Sequence, residues 1–154
     1  MDKLSPRSSA LRKGRYSEPG RIYHITTSTH KRTPLFADFY LARAVVRQLR
    51  QCDTTGCCST LCYVLMPDHL HWLFQLQDGN LAALVGRLKA RAASEVNHYR
   101  GSRGAVVWQQ GYYDHALRCD EDLREVARYI VANPLRAGLV SSVRTYPHWD
   151  AIWL

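Results

Sequence analysis

The sequence predicts an α+β fold in which helices pack on an antiparallel sheet in a ferredoxin-like arrangement. The predicted elements follow one another in the order β, α, β, β, α, β, α, which is typical of such sandwiches. Beyond a Pro67-Asp68 turn, apolar and polar residues alternate strictly, as they do in a half-buried strand. Two helical segments are long enough to cover its apolar face. The opposite face, which carries His69 and His71, is then open or covered only by the last helix.

The predicted elements are strands at 22–29, 59–66, 69–76 and 106–117 and helices at 37–52, 81–99 and 120–133. β-Branched and aromatic residues mark the strands, and the last strand is interrupted by a Gly turn or bulge. Asn80 and Asp120 are placed to cap the second and third helices. Pro134 disfavours helical geometry in the residue before it and ends the third helix at Asn133. The aromatic tail at 146–154 is predicted to pack back on the domain.

The length and charge of the chain limit its class. Its 154 residues suffice for one domain with a real core, and its 21 Lys and Arg against 13 Asp and Glu favour nucleic acid or an anionic membrane surface as partner. No apolar run approaches the roughly 20 residues that cross a bilayer, and no signal-peptide core is present. We therefore expect a cytoplasmic, nucleoid-associated protein without a membrane partner.

The N-terminal segment differs in composition from the rest of the chain. Residues 1–20 are basic and aperiodic, which predicts a flexible arm. Arg12, Lys13 and Arg15 in this arm are candidate phosphate contacts. Residues 21–154 form the single predicted domain.

Five cysteines, at positions 52, 57, 58, 62 and 119, lack the paired Cys-x-x-Cys spacing of a zinc ribbon. We expect them to be small buried side chains, since free cysteine is among the most buried residue types. A zinc site built from Cys57, Cys58 or Cys62 is the alternative.

Further basic residues follow the arm. Lys31 and Arg32 lie in a loop, and Arg87 and Arg91 share the polar side of the second helix. Given the net charge of +8, these side chains are candidate phosphate contacts, and an ordinary solvated surface is the alternative.

His69 and His71 stand side by side near the start of one strand. Two neighbouring neutral imidazoles can hold a divalent metal ion. Because His-x-His is a short and common pattern, histidines that merely cap the strand are the alternative.

Tyr129 and Asn133 lie one helical turn apart and away from the apolar stripe of the third helix. A surface tyrosine with its hydroxyl in water is one explanation. The other is chemical, because a metal held by imidazoles and an amide oxygen could help a tyrosyl oxygen attack a phosphodiester. A free phenol ionises only near pH 10, so this attack needs the metal or a nearby cation. Arg128 and Arg136 are equal candidates for that cation.

Three motifs together resemble one family. They are Pro67-Asp68-His69-Leu70-His71, the segment from Trp108 to His115, and the segment from Tyr129 to Val140. In this order and spacing they resemble the REP-associated tyrosine transposases, which belong to the single-tyrosine HUH nucleases, where U is a bulky hydrophobe, here Leu70. The resemblance covers about residues 20 to 150 and implies the HUH endonuclease fold.

The resemblance also implies an activity and a site. It implies an enzyme that cuts and rejoins single-stranded DNA at REP palindromic hairpins through a 5′-phosphotyrosine intermediate. His69 and His71 would bind Mg²⁺ or Mn²⁺, Asn133 would occupy the third ligand position, and Tyr129 would be the nucleophile. Insertion-sequence relatives exchange the tyrosine helix within a dimer, whereas a monomer is favoured for the domesticated branch.

Several alternatives remain open on sequence alone. Tyr112 and Tyr113 compete with Tyr129 for the nucleophile role and are, like Arg136, candidate DNA contacts. Trp108 is either a stacking residue or part of the core. A histidine-triad hydrolase is disfavoured because its third histidine is replaced by Leu73, and the paired motifs of 2H phosphoesterases are absent. The serious rival is a catalytically silent DNA-hairpin-binding protein of the same fold.

Overall fold

The computed structural model describes residues 17–153. The strands are β1 (Ile22–Ser28), β2 (Cys58–Met66), β3 (His69–Leu76), β4 (Tyr113–Ala116) and β5 (Trp149–Ala151), and the helices are α1 (Phe39–Thr54), α2 (Leu81–Arg100), α3 (Leu123–Val131) and α4 (Asn133–Arg136). The strands form one sheet in the order β4-β1-β3-β2-β5, and every neighbouring pair is antiparallel. The predicted α+β fold with helices on an antiparallel sheet is confirmed.

One face of the sheet forms the main core with α1 and α2. Leu70, Trp72 and Phe74 of β3 point to this face and are fully buried. The indole of Trp72 donates a hydrogen bond to Thr60 Oγ1 at 3.0 Å, so its one polar group is satisfied inside the core. The strict alternation of β3 therefore directs His69 and His71 to the other face, as predicted.

The other face carries a smaller core beneath α3. Ala127 and Ile130 are buried against Leu73 and against the outward side chains of β2. The histidine face was predicted to be open or covered only by the last helix, and α3 covers the part of it near β2. β1 and the start of β3 remain accessible beside it.

Side-chain caps fix the long helices. Asn80 accepts a hydrogen bond from the backbone N–H of Ala83 at 2.8 Å, which confirms the predicted cap of α2. Gly101 ends that helix in the left-handed conformation, with a φ of 67° that favours glycine. Asp38 caps α1 by accepting from the N–H groups of Tyr40 and Leu41.

The third predicted helix is two helices, and its predicted cap is wrong. Asp122, and not Asp120, accepts hydrogen bonds from the backbone at the start of α3. The chain leaves the helix after Val131 and begins α4 at Asn133, where Pro134 occupies the first turn. Proline suits that position because the first-turn N–H groups have no helical partner.

The predicted strand at 106–117 is mostly a loop. Only β4 pairs with β1, and Trp108 forms a single isolated bridge with Thr29. Lys89 of α2 donates through its amino group to the carbonyl oxygens of Gln109 and Gly111, at 2.9 and 2.8 Å. These bonds use carbonyl groups that a continuous strand would pair with a neighbouring strand.

Both ends of the described chain contact the domain. Residues 17–20, predicted as the end of the flexible arm, are hydrogen-bonded, with Gly20 N–H donating to Leu76 at 2.7 Å. At the other end β5 pairs with β2, so the tail packs back as predicted. No helix within residues 17–153 is long and apolar enough to cross a membrane.

The cysteines are free thiols. Cys52, Cys58 and Cys62 are buried, as predicted, whereas Cys57 is half-buried and Cys119 is exposed. Among residues 17–153, no group of three or more His, Cys, Asp and Glu side chains could hold a metal ion, so the described cysteines form no zinc site.

Candidate active site

The site is built around the two imidazoles of β3. The His69 and His71 rings lie edge to face with their centroids 5.0 Å apart, and both side chains are half-buried. This proximity follows from the strand period, which places residues i and i+2 on the same face.

A carboxylate holds the first imidazole. Asp68 Oδ1 lies 2.7 Å from His69 Nδ1, and Asp68 Oδ2 accepts a hydrogen bond from Arg32 Nε at 3.0 Å. Arg32 also donates to the Ser28 hydroxyl at 2.9 Å. Partial burial would raise the pKa of Asp68, but His69 and Arg32 outweigh that effect and lower it below its usual value. Asp68 is therefore a carboxylate at neutral pH and orients the His69 ring.

Two side chains of β1 hold the second imidazole. His71 Nδ1 lies 3.1 Å from Thr26 Oγ1 and 3.1 Å from His24 Nε2. Burial, together with the positive charges of neighbouring histidines and arginines, lowers the pKa of His71 to about 3. Burial and His115 lower the pKa of His24 to about 4. The rings of His71 and His24 are therefore neutral at physiological pH. An imidazole must be neutral to bind a metal ion, and His71 meets this condition.

The opposite nitrogen of each ring is available. Among residues 17–153, no hydrogen-bond partner contacts Nε2 of His69 or of His71. Histidines that ligate metals commonly bind a carboxylate or another polar group through their second nitrogen. The donor chemistry therefore fits a divalent ion bound by the two Nε2 atoms. Within the described chain no third His, Cys, Asp or Glu completes such a site, so other oxygen ligands would be needed.

The candidate nucleophile lies on α3. Tyr129 is 64% exposed, whereas Ala127 and Ile130 on the buried side of α3 anchor the helix to the sheet. Asn133 Nδ2 donates to the Ile130 carbonyl oxygen at 2.8 Å, which leaves the amide oxygen as a potential ligand. The guanidinium carbon of Arg136 lies 3.9 Å from the centroid of the Tyr129 ring. The predicted position of Tyr129 off the apolar stripe is confirmed.

Besides Arg136, three predicted DNA contacts lie near the site, two in the loop before α1 and one on β4. Arg32 is bound to Asp68, and the neighbouring Lys31 is exposed; both adopt the left-handed conformation, with φ of 54° and 55°. Tyr113 of β4 is 37% exposed and pairs with Thr26, which in turn pairs with His71. Tyr113 is therefore in the same cross-sheet row as one of the two imidazoles.

The remaining predicted contacts lie elsewhere. Arg87 and Arg91 are exposed on α2, which packs on the opposite face of the sheet from the histidines. Tyr112 is only 8% exposed and belongs to the main core, as does Trp108, whose indole donates to the Lys89 carbonyl oxygen. The predicted contacts Arg12, Lys13 and Arg15 lie outside the described residues.

Sequence reasoning missed the side chains that orient the imidazoles. His24 and Thr26 were placed only within the predicted strand at 22–29, and Asp68 only in a turn and in the motif around His69. The contacts of His24 and Thr26 with His71 depend on the pairing of β1 with β3 across more than 40 residues of chain. The available signal was the period of β1, which places His24, Thr26 and Ser28 on one face.

Comparison with known proteins agrees with this geometry. Residues 19–133 match the family model described as "Transposase IS200 like". A Haemophilus influenzae protein with the provisional name REP-associated tyrosine transposase is 26% identical over 139 residues, which cover 84% of this chain and 78% of that protein. The REP-associated tyrosine transposase of Escherichia coli K12 is 28% identical over 87 residues, covering 55% of this chain and 49% of that protein.

Two solved structures share the fold. One is a REP-associated tyrosine transposase bound to a REP hairpin, with a TM-score of 0.64, 23% identity, and coverage of 88% of this chain and 79% of that chain. The other, from Deinococcus radiodurans R1, is described as a candidate transposase and has a TM-score of 0.54, 21% identity, and coverage of 77% of this chain and 92% of that chain. The family match extends over most of the chain and includes the histidine pair, Tyr129 and Asn133. The chain therefore belongs to the IS200-like transposase family, and its relatives include REP-associated tyrosine transposases.

Proposed function

We propose that this transposase is a metal-dependent single-stranded DNA endonuclease and strand transferase that acts at REP-type hairpins. The observation that carries the proposal is the pair of imidazoles on β3, each held through Nδ1 and available at Nε2, on the sheet face that also carries the helix with the exposed tyrosine. Family membership supports the same reaction class.

The reaction is a transfer of a phosphodiester to tyrosine. The Tyr129 hydroxyl loses its proton to solvent, and its oxygen attacks phosphorus. The bond from phosphorus to the 3′ oxygen breaks, and that oxygen keeps the electron pair and takes a proton. The products are a 5′-phosphotyrosine and a free 3′-OH, which can reverse the step or join another end. No nucleotide cofactor is needed, because the new ester bond replaces the one that breaks.

His69, His71 and Asn133 are the residues that would hold Mg²⁺ or Mn²⁺. Bound there, the ion would supply Lewis-acid polarisation of the phosphodiester. Asp68 and Thr26 orient the two rings before DNA arrives, so little reorganisation is required on binding.

We propose a hairpin DNA partner for two reasons. The chain carries a net positive charge, and the structural neighbour was solved with a REP hairpin. Lys31, Arg32 and Arg136 would contact phosphates near the site, and Tyr113 could stack on an unpaired base. Arg87 and Arg91 would contact DNA only where the DNA strand passes around to the sheet face opposite the histidines. A side chain as buried as Tyr112 does not stack on a base, so we leave it out of the proposed contacts.

We further propose that a monomer is active. The tyrosine helix α3 packs through Ala127 and Ile130 on the sheet of its own chain. In this arrangement one copy would supply the imidazoles, Tyr129 and Arg136.

The test is cleavage of a labelled single-stranded oligonucleotide that carries a REP-type hairpin, with Mn²⁺ or with EDTA. We expect metal-dependent cutting by the native protein and none by Tyr129→Phe, which removes only the nucleophilic oxygen and should bind the hairpin with nearly unchanged affinity. His69→Ala and His71→Ala should lower the rate and the response to metal together. Tight binding without cutting by the native protein would identify the silent hairpin-binding protein instead, and equal cutting by Tyr129→Phe would exclude this nucleophile.

A further inference from the structure

We propose that Arg136 is a catalytic residue whose guanidinium group binds the phosphate that Tyr129 attacks. The inference rests on the proposed function and adds to it the group that neutralises the reacting phosphate. The sequence alone made Arg128 and Arg136 equal candidates for the cation that assists Tyr129.

The contact with the nucleophile comes first. The guanidinium carbon of Arg136 lies 3.9 Å from the centroid of the Tyr129 ring, well within the range of a cation–π interaction. The two residues lie on successive helices, since α3 ends at Val131 and α4 begins at Asn133. The new helix returns Arg136 to the ring of Tyr129.

The contact also places the guanidinium near the reacting atoms. Since the guanidinium lies against the ring that carries the attacking oxygen, a phosphate attacked by Tyr129 would lie within its reach.

The guanidinium is also unengaged. Within residues 17–153, no carboxylate or carbonyl oxygen accepts a hydrogen bond from Arg136, and the side chain is exposed. Arg32 differs, because its nitrogens already bind Asp68 and Ser28. Arg47 likewise binds Glu95. Arg136 thus keeps its donors for an incoming anion, and a planar guanidinium matches the oxygens of a phosphate.

The chemical role follows from where charge develops. As the Tyr129 oxygen bonds to phosphorus and the bond to the 3′ oxygen breaks, negative charge is concentrated on the two non-bridging oxygens. Donors placed at those oxygens stabilise the transition state more than the ground state.

The experiment compares two variants on two substrates under single-turnover conditions with Mn²⁺. The variants are Arg136→Gln and, as a matched loss of one exposed positive charge on α3, Arg124→Gln. The substrates are a hairpin oligonucleotide with the natural scissile phosphate and one with a methylphosphonate there, which replaces a charged non-bridging oxygen by a methyl group. Hairpin affinity and thermal unfolding are measured for each protein to verify folding.

We expect Arg136→Gln to cut the natural substrate about 100-fold more slowly than the native protein, the size of effect seen when one transition-state donor is lost. Hairpin affinity should change less than about threefold, and Arg124→Gln should cut at the native rate. The methylphosphonate should slow the native protein strongly but slow Arg136→Gln much less, because the interaction between the guanidinium and the charged oxygen is already lost.

Other outcomes overturn the proposal. Native-like cutting by Arg136→Gln excludes a catalytic role. Equal slowing of the native protein and of Arg136→Gln by the methylphosphonate would show that Arg136 merely holds the Tyr129 ring. Failure of the native protein to cut the natural substrate would instead contradict the proposed function itself, and the inference would fall with it.

Discussion

At the scale of single residues, the site depends on which nitrogen of each imidazole is occupied. Asp68 binds His69 at Nδ1, and Thr26 and His24 approach His71 at Nδ1. Each ring is fixed in orientation by a polar partner while its Nε2 atom stays available. An outer partner of this kind typically changes metal affinity by tenfold or more when it is lost.

Replacement of Asp68 by Asn tests this arrangement. Asp68→Asn keeps a hydrogen-bond acceptor for His69 but removes the negative charge, so we expect Mn²⁺ affinity to fall about tenfold. The affinity is measured by the loss of the free Mn²⁺ signal in electron paramagnetic resonance titrations. Asp120→Asn, which removes an exposed carboxylate paired with Arg118, is the control and should bind Mn²⁺ as the native protein does. Unchanged affinity in Asp68→Asn would show that the carboxylate does not support a metal ligand.

The sequence predicted the positions of the candidate site residues better than the contacts that orient them. His69, His71 and Tyr129 lie off the apolar faces, as the strand and helix periods predict. Thr26 and His24 were missed as partners of His71 because their contacts require the register of two strands 45 to 47 residues apart. Single-strand periodicity contains no information on that register.

At the scale of elements, α3 positions the tyrosine through its buried side. Ile130 is fully buried against the β2 and β3 side chains, and Ala127 lies one turn before it. Asp122 caps the helix and the break at Ala132 ends it. Tyr129 is therefore presented by a short helix whose fully buried contacts come from Ala127 and Ile130, with Leu123, Val126 and Val131 partly buried beside them.

Truncation of Ile130 measures this anchoring. Ile130→Ala removes apolar volume from a site with no solvent access, and we expect the free energy of unfolding to fall by about 2–5 kcal/mol. Urea denaturation followed by circular dichroism gives this value. Ile152→Ala, at a side chain that is 62% exposed, is the matched control and should cost at most about 0.5 kcal/mol. Similar losses in both variants would contradict the anchoring role of Ile130.

Element types were predictable and element boundaries were less so. The predicted helix at 120–133 divides at Ala132, since Pro134 begins a new helix as readily as it ends an old one. Of the predicted strand at 106–117 only β4 forms, because Lys89 donates hydrogen bonds to the carbonyl groups of Gln109 and Gly111, which precede β4. The first difference reflects the two roles that a proline can take at a helix end, and the second comes from a tertiary contact that local sequence does not specify.

At the scale of the whole molecule, the main core and the candidate site lie on opposite faces of the sheet. One face carries the main core with α1 and α2, and the other carries the histidine pair, α3 and α4. The C-terminal segment links the two sides of the molecule, since β5 pairs with β2 and His148 packs beside Phe39 of α1.

The burial of His148 predicts that acid weakens the packing of the C-terminal segment. Burial, followed by the charge of Arg43, lowers the pKa of His148 below its ordinary value. In the unfolded chain the imidazole takes up a proton below about pH 6.5, whereas in the folded protein it does so only at lower pH. The unfolded state therefore binds more protons in this window, and stability falls as the pH decreases below 6.5.

The variant His148→Gln isolates this contribution. The difference in free energy of unfolding between the native protein and His148→Gln should be largest at pH 8 and should shrink towards pH 5, because only the native protein loses stability from this group. Urea titrations at both pH values provide the measurement. A difference that is the same at pH 8 and pH 5 would show that His148 does not contribute to the pH dependence of stability.

The most direct test of the central claim is to identify the covalent link between protein and DNA. The native protein is incubated with Mn²⁺ and a single-stranded REP-type hairpin oligonucleotide, and the denatured product is digested and mapped by mass spectrometry. We predict a 5′-phosphotyrosine on Tyr129 that is absent with EDTA and in Tyr129→Phe. An adduct on Tyr113, or none at all despite tight hairpin binding, would contradict the assignment of Tyr129 as the nucleophile of this transposase.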